Sequence, residues 1–429
     1  MSDAFEYKCP NCGGALSFDI NAQKCVCPYC DAEFDVNEVK GLNEVKEVKE
    51  DLTWDESGLK EYSQEELNTL NEFHCNSCGA VIVADENTSA TSCPYCENPV
   101  ILTGRLTGAL KPDYVIPFKL DDEAAKKMMS KYLNKKLFLP KVFKDQNKIE
   151  EIKGIYVPFW IYDADAEGRV TYKGMIKNTY TKGEYKYTEY KYYSIIRDGS
   201  LGFRHIPVDG SSSLDDKLME SIEPFDFSEA VSFEAAYLSG HLSDKYDVDK
   251  EACRGRANQR VKEGTIQKFR TTVSKKYNEV EYDDSQISLY NTSVKYALYP
   301  VWLLNTKWND KSFHFAMNGE TGKFTGNLPI SKLKYLLWFF IMFIGVSFAT
   351  ALTLFLFIQD TEELPFLILI GLFIGLVVAI IFCRKHRKKL KPVMLNYGAS
   401  SYYKDGSMNI TYSRDFYLYK KVDKTKISK

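Results

Sequence analysis

The longest apolar runs of the chain lie towards its C-terminal end. Residues 335–358 contain no charged side chain over 24 positions, and residues 364–382 contain none over 19 positions. As helices, both runs are long enough to cross a bilayer core of roughly 30 Å. Two such runs in succession predict a transmembrane hairpin within residues 331–388, followed by a cytoplasmic tail over residues 389–429.

The charges that flank these runs predict their orientation. Lys332 and Lys334 precede the first run, and the joining loop at 359–363 contains three acidic residues and no lysine or arginine. A basic cluster follows the second run: Arg384, Lys385, Arg387, Lys388, Lys389 and Lys391. Because basic flanks stay in the cytoplasm, the pattern predicts a multi-pass protein of the cell membrane with both termini cytoplasmic.

The residues before the hairpin predict a β-rich α+β head over 105–330. Tyrosines alternate with lysine, glutamate or threonine around Lys182-Gly183, which is typical of a hairpin. Residues 297–329 have a second strand-like pattern with an Asn318-Gly319 turn. Beyond the membrane hairpin, residues 407–422 predict one more strand or hairpin, which can pair back onto the head.

Four helices are predicted in the head and in the segment before it. Ser63 and Glu66 form a capping-box pattern at the start of a short helix. A second helix begins after Asp121 or Asp122 and continues to about Leu137. Residues 228–242 and 247–266 predict the other two, of which the second is amphiphilic and basic.

Eight of the eleven cysteines form two copies of one pattern, offset by 66 residues. In each copy, two CxxC pairs are separated by fourteen residues, which is the spacing of a four-thiolate zinc ribbon. Gly13 and Gly79 suit the tight turns of such a ribbon because glycine tolerates positive φ. We predict a first ribbon at 1–34, an acidic linker at 35–72 and a second ribbon at 73–104. The predicted ligands of two structural Zn2+ ions are Cys9, Cys12, Cys27, Cys30, Cys75, Cys78, Cys93 and Cys96.

Two other interpretations of these cysteines are weaker. Disulfides need an oxidising compartment, and the first twelve residues lack the basic start and apolar core of a secretory signal. The CPYC turns resemble glutaredoxin-like redox sites, but such sites need no CxxC partner, and both turns have one here. Cys25 is interpreted as a spare thiol, and Cys253 and Cys383 as small apolar groups.

Charge is distributed unevenly along the chain. Residues 1–104 contain six lysines, no arginine and twenty acidic residues, a net charge of −14, whereas the whole chain has a net charge of −2. Such an acidic arm is a poor surface for phosphates, which makes nucleic acid an unlikely partner. The arm is expected to meet a basic protein, to meet the basic part of its own chain, or to be a solvated linker.

Catalytic motifs are absent from the sequence. Residues 319–326, GETGKFTG, lack the spacing of a phosphate-binding loop, and no HExxH, GxSxG or strand-linked GxGxxG motif occurs. The five histidines are scattered, and His74, which precedes Cys75, is redundant beside four cysteine ligands. The sequence therefore predicts that the protein is not an enzyme.

Six stretches between residues 73 and 310 have a specific combination of motifs. They read FHCNSCGAVIVADENTSATSCPYCENPVIL, DYVIPFKLDDEAA, GIYVPFWIYDA, IPVDGSSSLDD, EPFDFSEAVSFEAAYLSGHLSDKYDV and YPVWLLNTKW. This combination resembles bacterial membrane proteins with a transcription-factor-IIB-type zinc ribbon, which are sometimes mislabelled primosomal-helicase-like. The helicase label conflicts with the residues because no nucleotide-binding motif is present.

The resemblance implies a membrane-associated protein. Some relatives act as membrane anchors for flotillin-like (SPFH-domain) and phage-shock-type membrane-stress proteins, so the resemblance implies partners of that kind. Only the eight cysteines carry over as functional residues, and the first ribbon is an addition relative to the best-matched portion.

Together these patterns predict a non-catalytic, membrane-anchored adaptor of the α+β class. Two zinc ribbons precede a β-rich head, and the hairpin holds the head at the inner membrane face, where it recruits cytoplasmic partners. The alternative is a membrane-tethered nucleic-acid-binding regulator, for which the ribbon type and the basic segment Arg254–Lys268 are the best support. A third hypothesis is an enzyme or redox protein that uses the CPYC thiols.

Overall fold

The computed structural model describes most of the chain. The described residues are 7, 9, 14–29, 31–36, 39, 52–86, 88, 92–145, 149, 151–309, 311–326, 328–358, 364–390 and 398–427. The predicted ligands Cys12 and Cys30, the loop at 359–363 and Lys391 lie outside these residues.

Strands dominate the described part of the chain. They are β1 (Ser17–Asp19), β2 (Lys24–Val26), β3 (Glu33–Phe34), β4 (Lys60–Glu61), β5 (Leu70–His74), β6 (Val81–Asp85), β7 (Ile101–Arg105), β8 (Leu110–Lys111), β9 (Tyr114–Val115), β10 (Lys153–Lys182), β11 (Tyr185–Asp209), β12 (Val231–Ser232), β13 (Leu242–Asp244), β14 (Glu279–Trp308), β15 (Lys311–Asn318), β16 (Phe324–Gly326) and β17 (Asn409–Lys426). The α-helices are α1 (Gln64–Leu67), α2 (Asp122–Asn134), α3 (Asp216–Ile222), α4 (Lys250–Arg270), α5 (Lys332–Ile358) and α6 (Leu364–Lys388). Short 3₁₀ turns lie at Lys141–Lys144, Phe227–Glu229, Ala235–Leu238 and Ala399–Tyr402.

One twelve-stranded sheet organises the head, and its central strands are very long. β10 pairs antiparallel with β11 on one side and with β14 on the other. The predicted hairpin around Lys182-Gly183 joins β10 to β11, and Gly183 has the positive φ of 62° that this turn requires. The α+β class and the large β-rich sheet predicted for the head are therefore confirmed.

Side chains of β10 alternate between two apolar clusters. Tyr156 and Trp160 lie in the cluster that is covered by α4, whereas Val157 and Phe159 lie in the cluster on the opposite face, beside α3. Both faces are buried along this part of the strand, which explains why its sequence is almost continuously apolar. The second cluster also contains Cys75, Cys93 and neighbouring residues of β5 and β6.

Strands β5, β6 and β7 belong to the large sheet. β6 pairs with β13, which pairs with β10, so the second cysteine pattern is attached to the head through main-chain hydrogen bonds. By contrast, β1, β2 and β3 form a separate three-stranded sheet around the first cysteine pattern.

A third apolar cluster joins the head to the base of the hairpin. Phe138, in the loop after α2, lies against Tyr335 of α5 with ring centres 5.4 Å apart. Lys334 Nζ donates to the carbonyl of Leu139 at 2.6 Å, and Lys136 Nζ donates to the carbonyl of Lys389 at 2.7 Å. The hairpin base is therefore packed against the head.

The two apolar helices pack along small residues. They are long and apolar enough to cross a membrane, over Lys332–Leu356 and Pro365–Lys388, and they extend the predicted runs by several residues. A side chain added at Gly371 or Gly375 would meet backbone or side-chain atoms of Ser347. This close approach is typical of small residues spaced four apart in membrane helices.

The tail returns to the head after the hairpin. β17 pairs antiparallel with β11 over its whole length, from Asn409 opposite Ser200 to Lys426 opposite Tyr185. The prediction that the tail adds a strand to the head is confirmed.

The helix predictions hold in three cases out of four. Ser63 and Glu66 form the capping box at α1, the Asp121 side chain caps α2, and α4 extends over the predicted basic helix. The helix predicted over 228–242 is wrong. That segment contains β12 and two 3₁₀ turns, because its main chain pairs with β9.

The Asn318-Gly319 turn is longer than predicted. The connection between β15 and β16 runs from Asn318 to Phe324, and Gly322 rather than Gly319 has positive φ. The Asn318 side chain accepts hydrogen bonds from the backbone N–H groups of Glu320 and Thr321, both at 2.9 Å. These bonds stabilise the longer connection in place of the expected two-residue turn.

Candidate metal centre

Two tight turns present the four cysteines of the second pattern. In the first turn, Gly79 N–H donates to the Cys75 carbonyl at 2.9 Å, and Cys75 N–H donates to the Ala80 carbonyl at 3.0 Å. The second turn repeats this arrangement from Cys93 at 3.0 and 2.8 Å. Gly79 and Glu97 occupy the same position in their turns, with φ of 81° and 66°. Because the two turns share this geometry, the sulfur atoms of both CxxC pairs converge on a common point.

The four sulfur atoms have the separation that a tetrahedral ion needs. Cys75 Sγ lies 3.5 Å from Cys96 Sγ, Cys78 Sγ lies 3.6 Å from Cys93 Sγ, and all four lie within 4.8 Å of one another. With Zn–S bonds of about 2.3 Å, a tetrahedron places its sulfur atoms about 3.8 Å apart. The residues present therefore fit a metal ion bound by four thiolates.

The thiols differ in how readily they ionise. Burial raises the pKa of the Cys78 thiol to about 11. At Cys96, burial is outweighed by hydrogen bonds from the backbone and side chain of Asn98, and the pKa of this thiol falls to about 7. Asn98 Nδ2 lies 3.4 Å from Cys96 Sγ and 2.8 Å from Ser77 Oγ, so it connects the two turns.

Tyr95, between the cysteines of the second turn, anchors the centre to the sheet. Its hydroxyl donates a 2.6 Å hydrogen bond to Asp244 Oδ2, and Asp244 also accepts from Ser211 Oγ. Asp244 is fully buried, and burial raises its pKa to about 7. The aspartate lies on β13, the strand that connects β6 to β10.

Asn305 of β14 holds the same turn from another direction. Its Nδ2 donates to the carbonyls of Pro94 and Tyr95, both at 2.7 Å, so its Oδ1 faces His314 Nδ1 at 2.7 Å. Because Oδ1 can only accept, His314 Nδ1 carries the hydrogen and Nε2 keeps its lone pair. Burial lowers the pKa of His314, which favours this neutral form.

A cavity of about 320 Å³ opens beside the cysteines. Its lining includes Cys78, Cys96, Ser213, Thr306 and His314. Cys78 is exposed and Cys96 is half-buried, whereas Cys75 and Cys93 are buried. The cavity therefore provides a path by which an ion or a chelator can reach the outer two thiols.

The first cysteine pattern has the same turns where the structure describes it. Cys9 N–H donates to the Gly14 carbonyl at 2.7 Å, and Cys27 N–H donates to the Ala32 carbonyl at 2.9 Å. Asp31 N–H donates to the Cys27 carbonyl at 2.9 Å, with φ of 55° as at Glu97. Since Cys12 and Cys30 lie outside the described residues, four converging thiols are described for the second pattern alone.

Few sequence signals point to the residues that support the centre. Asn305 interrupts an apolar strand, which is the one available signal that a polar side chain is needed there. No sequence signal identifies Asp244 or His314 as supporting residues. His74 lies outside the thiol cluster, with Nε2 3.0 Å from Glu72 Oε1. Cys253 and Cys383 are buried, as predicted.

Comparison with known proteins supplies one relationship. No family model matches the chain, and no solved structure matches it. The chain is 33% identical over 333 residues to a Bacillus subtilis (strain 168) protein described as uncharacterized protein YdjG. The match covers 78% of this chain and 92% of that protein. The chain therefore belongs to the same protein family as YdjG.

Proposed function

We propose that this protein is a non-catalytic adaptor, anchored in the membrane by α5 and α6, that recruits cytoplasmic proteins to the inner membrane face. The observation that carries the proposal is the packing of the head onto the hairpin base through Phe138, Leu139 and Tyr335. A head that is fixed in this way holds its long sheet at a defined orientation to the bilayer. Its partners are proposed to be flotillin-like or phage-shock-type proteins, on the resemblance given above.

The surface of the hairpin supports a membrane location. Phe348 of α5 and Phe373 of α6 are both 68% exposed, and most of the apolar side chains around them are exposed too. A helix of a soluble protein buries such an apolar surface. Lipid is the environment in which this exposure is favourable.

The return of the tail supports the proposed topology. β11 precedes α5 in the chain and β17 follows α6, yet the two strands pair over sixteen positions. If both helices cross the bilayer, this pairing requires both helix ends that face the head to lie on the same side. The basic residues at those ends favour the cytoplasmic side.

Zinc is the proposed ion at the second cysteine pattern and, through Cys9, Cys12, Cys27 and Cys30, at the first. Four thiolates are a ligand set that zinc prefers for structural sites. When bound, zinc cross-links the two turns of each pattern. Cys75 and Cys93 are buried, and all four cysteines of the centre fill a tetrahedron, which leaves no open position for catalysis.

The geometry of α4 weakens one of the two supports for the nucleic-acid alternative, the basic segment Arg254–Lys268. Arg254 pairs with Glu56, Arg256 lies 2.7 Å from Asp216, and the buried Arg260 pairs with Glu223 at 2.5 Å. These arginines are therefore committed to carboxylates of the same chain. Glu56 belongs to the acidic arm. This ion pair agrees with the alternative in which the arm contacts the basic part of its own chain.

Quantitative proteomics of membrane fractions tests the proposal. Cells that produce the full chain are compared with cells that produce a chain lacking residues 331–390, at matched levels. We expect one or more soluble proteins to leave the membrane fraction with the shortened chain while their total abundance stays the same. Identical membrane fractions would contradict an adaptor function. Zinc analysis of the purified full chain separates this proposal from a redox protein, whose CPYC thiols would be free to react.

A further inference from the structure

The free end of the long sheet differs from the rest of the head. This end, here called the sheet tip, comprises residues 176–192 of β10 and β11 and residues 419–426 of β17. The sheet is three strands wide there, because β14 stops pairing with β10 at Met175. The far end of the tip lies about 90 Å along β10 from the start of that strand. At its start, Gly154 pairs with Trp302, close to the base of the α5–α6 hairpin. The sheet tip is therefore remote from the hairpin.

Lysine dominates the sheet tip. It contains eight lysines against three acidic residues. Each acidic residue already lies near a lysine of the tip: Glu184 near Lys426, Glu189 near Lys191 and Asp423 near Lys421, at 3.8, 3.1 and 3.5 Å. Among the described ion pairs, none engages the other five lysines of the tip: Lys177, Lys182, Lys186, Lys420 and Lys424. The tip therefore favours an anionic partner.

β17 forms an open edge of the sheet tip. It pairs with β11, and among the described strands it has no second neighbour. The unpaired N–H and C=O groups of an edge strand are a template for another extended chain. This edge contains four lysines, Lys420, Lys421, Lys424 and Lys426, against one acidic residue, Asp423, so the same edge of a second copy would meet it with a net repulsion between like charges. The edge therefore favours an acidic strand over itself.

The main-chain edge of the tip, rather than its tyrosine rings, favours a protein over a nucleic acid. Tyr180 stacks on Tyr187 across β10 and β11, with ring centres 5.4 Å apart and an angle of 9°. The Lys424 ammonium lies 3.9 Å from the centre of the Tyr185 ring. Proteins that bind single-stranded nucleic acid present open rings on which bases stack, and Tyr180 and Tyr419 are 47% and 55% exposed. A polypeptide, however, can also pair with the free N–H and C=O groups of the β17 edge, which a nucleic acid cannot extend as a strand, so the edge favours a protein.

We propose that the sheet tip binds an acidic, extended segment of a cytoplasmic protein, which adds to the β17 edge as a further strand. This inference rests on the proposed adaptor function and assigns its docking surface. Side chains alternate between the two faces of a strand, so Lys420 and Lys424 lie on one face of the sheet and Lys421 lies on the other. Pairing with β11 places Lys420 opposite Lys191 and Lys421 opposite Tyr190. Carboxylates of the added strand would meet these lysines on both faces. Main-chain hydrogen bonds would fix the register.

Fluorescence anisotropy of the full chain in detergent tests the docking surface. The probes are a short labelled peptide that alternates glutamate and threonine, and a labelled oligothymidylate. The variant Lys420→Glu/Lys424→Glu is compared with Lys127→Glu/Lys131→Glu, which reverses two exposed lysines of α2. We expect the acidic peptide to bind the wild type and the α2 variant equally, and to bind the edge variant about tenfold more weakly or worse. Hydrogen exchange should show new protection of β17 amides when the peptide binds.

Several outcomes would overturn the docking surface. They are equal peptide binding by the two variants, no binding to the wild type, binding without new protection of β17, and oligothymidylate binding as tight as that of the peptide. If the wild type forms a dimer and the Lys420→Glu/Lys424→Glu variant does not, the edge binds a second copy of the chain instead of an acidic segment. If these results appear while the membrane fractions still differ, the adaptor function stands and docking occurs elsewhere. If the peptide binds as expected but the membrane fractions do not differ, the adaptor function fails and the surface stands.

Discussion

Asn305 donates a 2.7 Å hydrogen bond from its side-chain amide to the main-chain carbonyl of Tyr95, which lies 210 residues earlier and between Cys93 and Cys96. The bond joins one turn of the candidate metal centre to a central strand of the head. The stability of the centre therefore depends on the sheet as well as on its ligands.

We expect Asn305→Ala to loosen the metal centre without removing a ligand. The substitution leaves the carbonyls of Pro94 and Tyr95 and the Nδ1 of His314 without their partner. Each buried group left unpaired costs about 1–3 kcal/mol. Zinc should pass to a chelator faster, and the melting temperature should fall. Asn134→Ala, at the exposed end of α2, is the control, and equal chelation rates for the two variants would argue against the support role.

Substitution of single cysteines should remove metal in a site-specific way. Cys75→Ser or Cys93→Ser should lose one of two zinc ions per chain and unfold the surrounding turns, because structural zinc contributes about 10–16 kcal/mol of apparent binding energy in small peptides. Cys9→Ser or Cys27→Ser should lose the other ion. The buried Cys253 serves as the control, since Cys253→Ser should keep both ions. Elemental analysis decides, and an unchanged zinc content in the first four variants would refute the two sites.

Asp244 should make stability fall as pH rises. Its folded pKa is raised by burial to about 7, whereas an unfolded aspartate has a pKa of about 3.9. Below pH ~4 both states hold the proton; between that value and the folded pKa only the folded state does, so stability is lost across this window and then levels off. Asp244→Asn stays neutral and can still accept from Tyr95 and Ser211.

The measurement is the difference in unfolding free energy between Asp244→Asn and the wild type at several pH values. The proposed zinc ion would contribute to both proteins, so the pH dependence of its binding would largely cancel. The variant should gain on the wild type by up to about 1.4 kcal/mol per pH unit within the window. Asp209 and Asp247 also act on this carboxyl, and both are unchanged between the two proteins. Parallel pH profiles would show that Asp244 does not hold its proton.

A larger side chain at the helix contact should separate α5 from α6. At Gly375 an added Cβ would lie 2.8 Å from the Phe343 carbonyl, whereas at Gly345 it would meet nothing within 4 Å. Gly375→Leu should therefore lower the melting temperature in detergent, with a cost of about 1–3 kcal/mol from overpacking. Gly345→Leu is the matched control, and an equal effect of both substitutions would mean that the contact is not as described.

The parts of the fold that follow local chemistry were predictable. The capping box at Ser63, the turn at Gly183 and the two long apolar helices each depend on neighbouring residues, so their patterns identified them. The 228–242 segment was not predictable, because its main chain is occupied by β9 and its helical propensity is overridden.

The candidate site was predictable only as a set of ligands. The spacing of Cys75, Cys78, Cys93 and Cys96 identified a four-thiol cluster, because each pair lies within one turn. Its attachment to the sheet depends on Asp244 and Asn305, which are distant in sequence and belong to no motif. Interactions over such separations arise from strand order, which the apolar pattern does not encode.

The pairing of β17 with β11 has a consequence for biogenesis. β11 leaves the ribosome long before the two apolar helices, but its outer edge is completed by a strand that is made after them. If both helices cross the bilayer as proposed, a chain in which one of them failed to cross would hold β17 on the far side, and β11 would become the edge strand in its place. Pairing of β17 with β11 therefore depends on correct insertion of both helices.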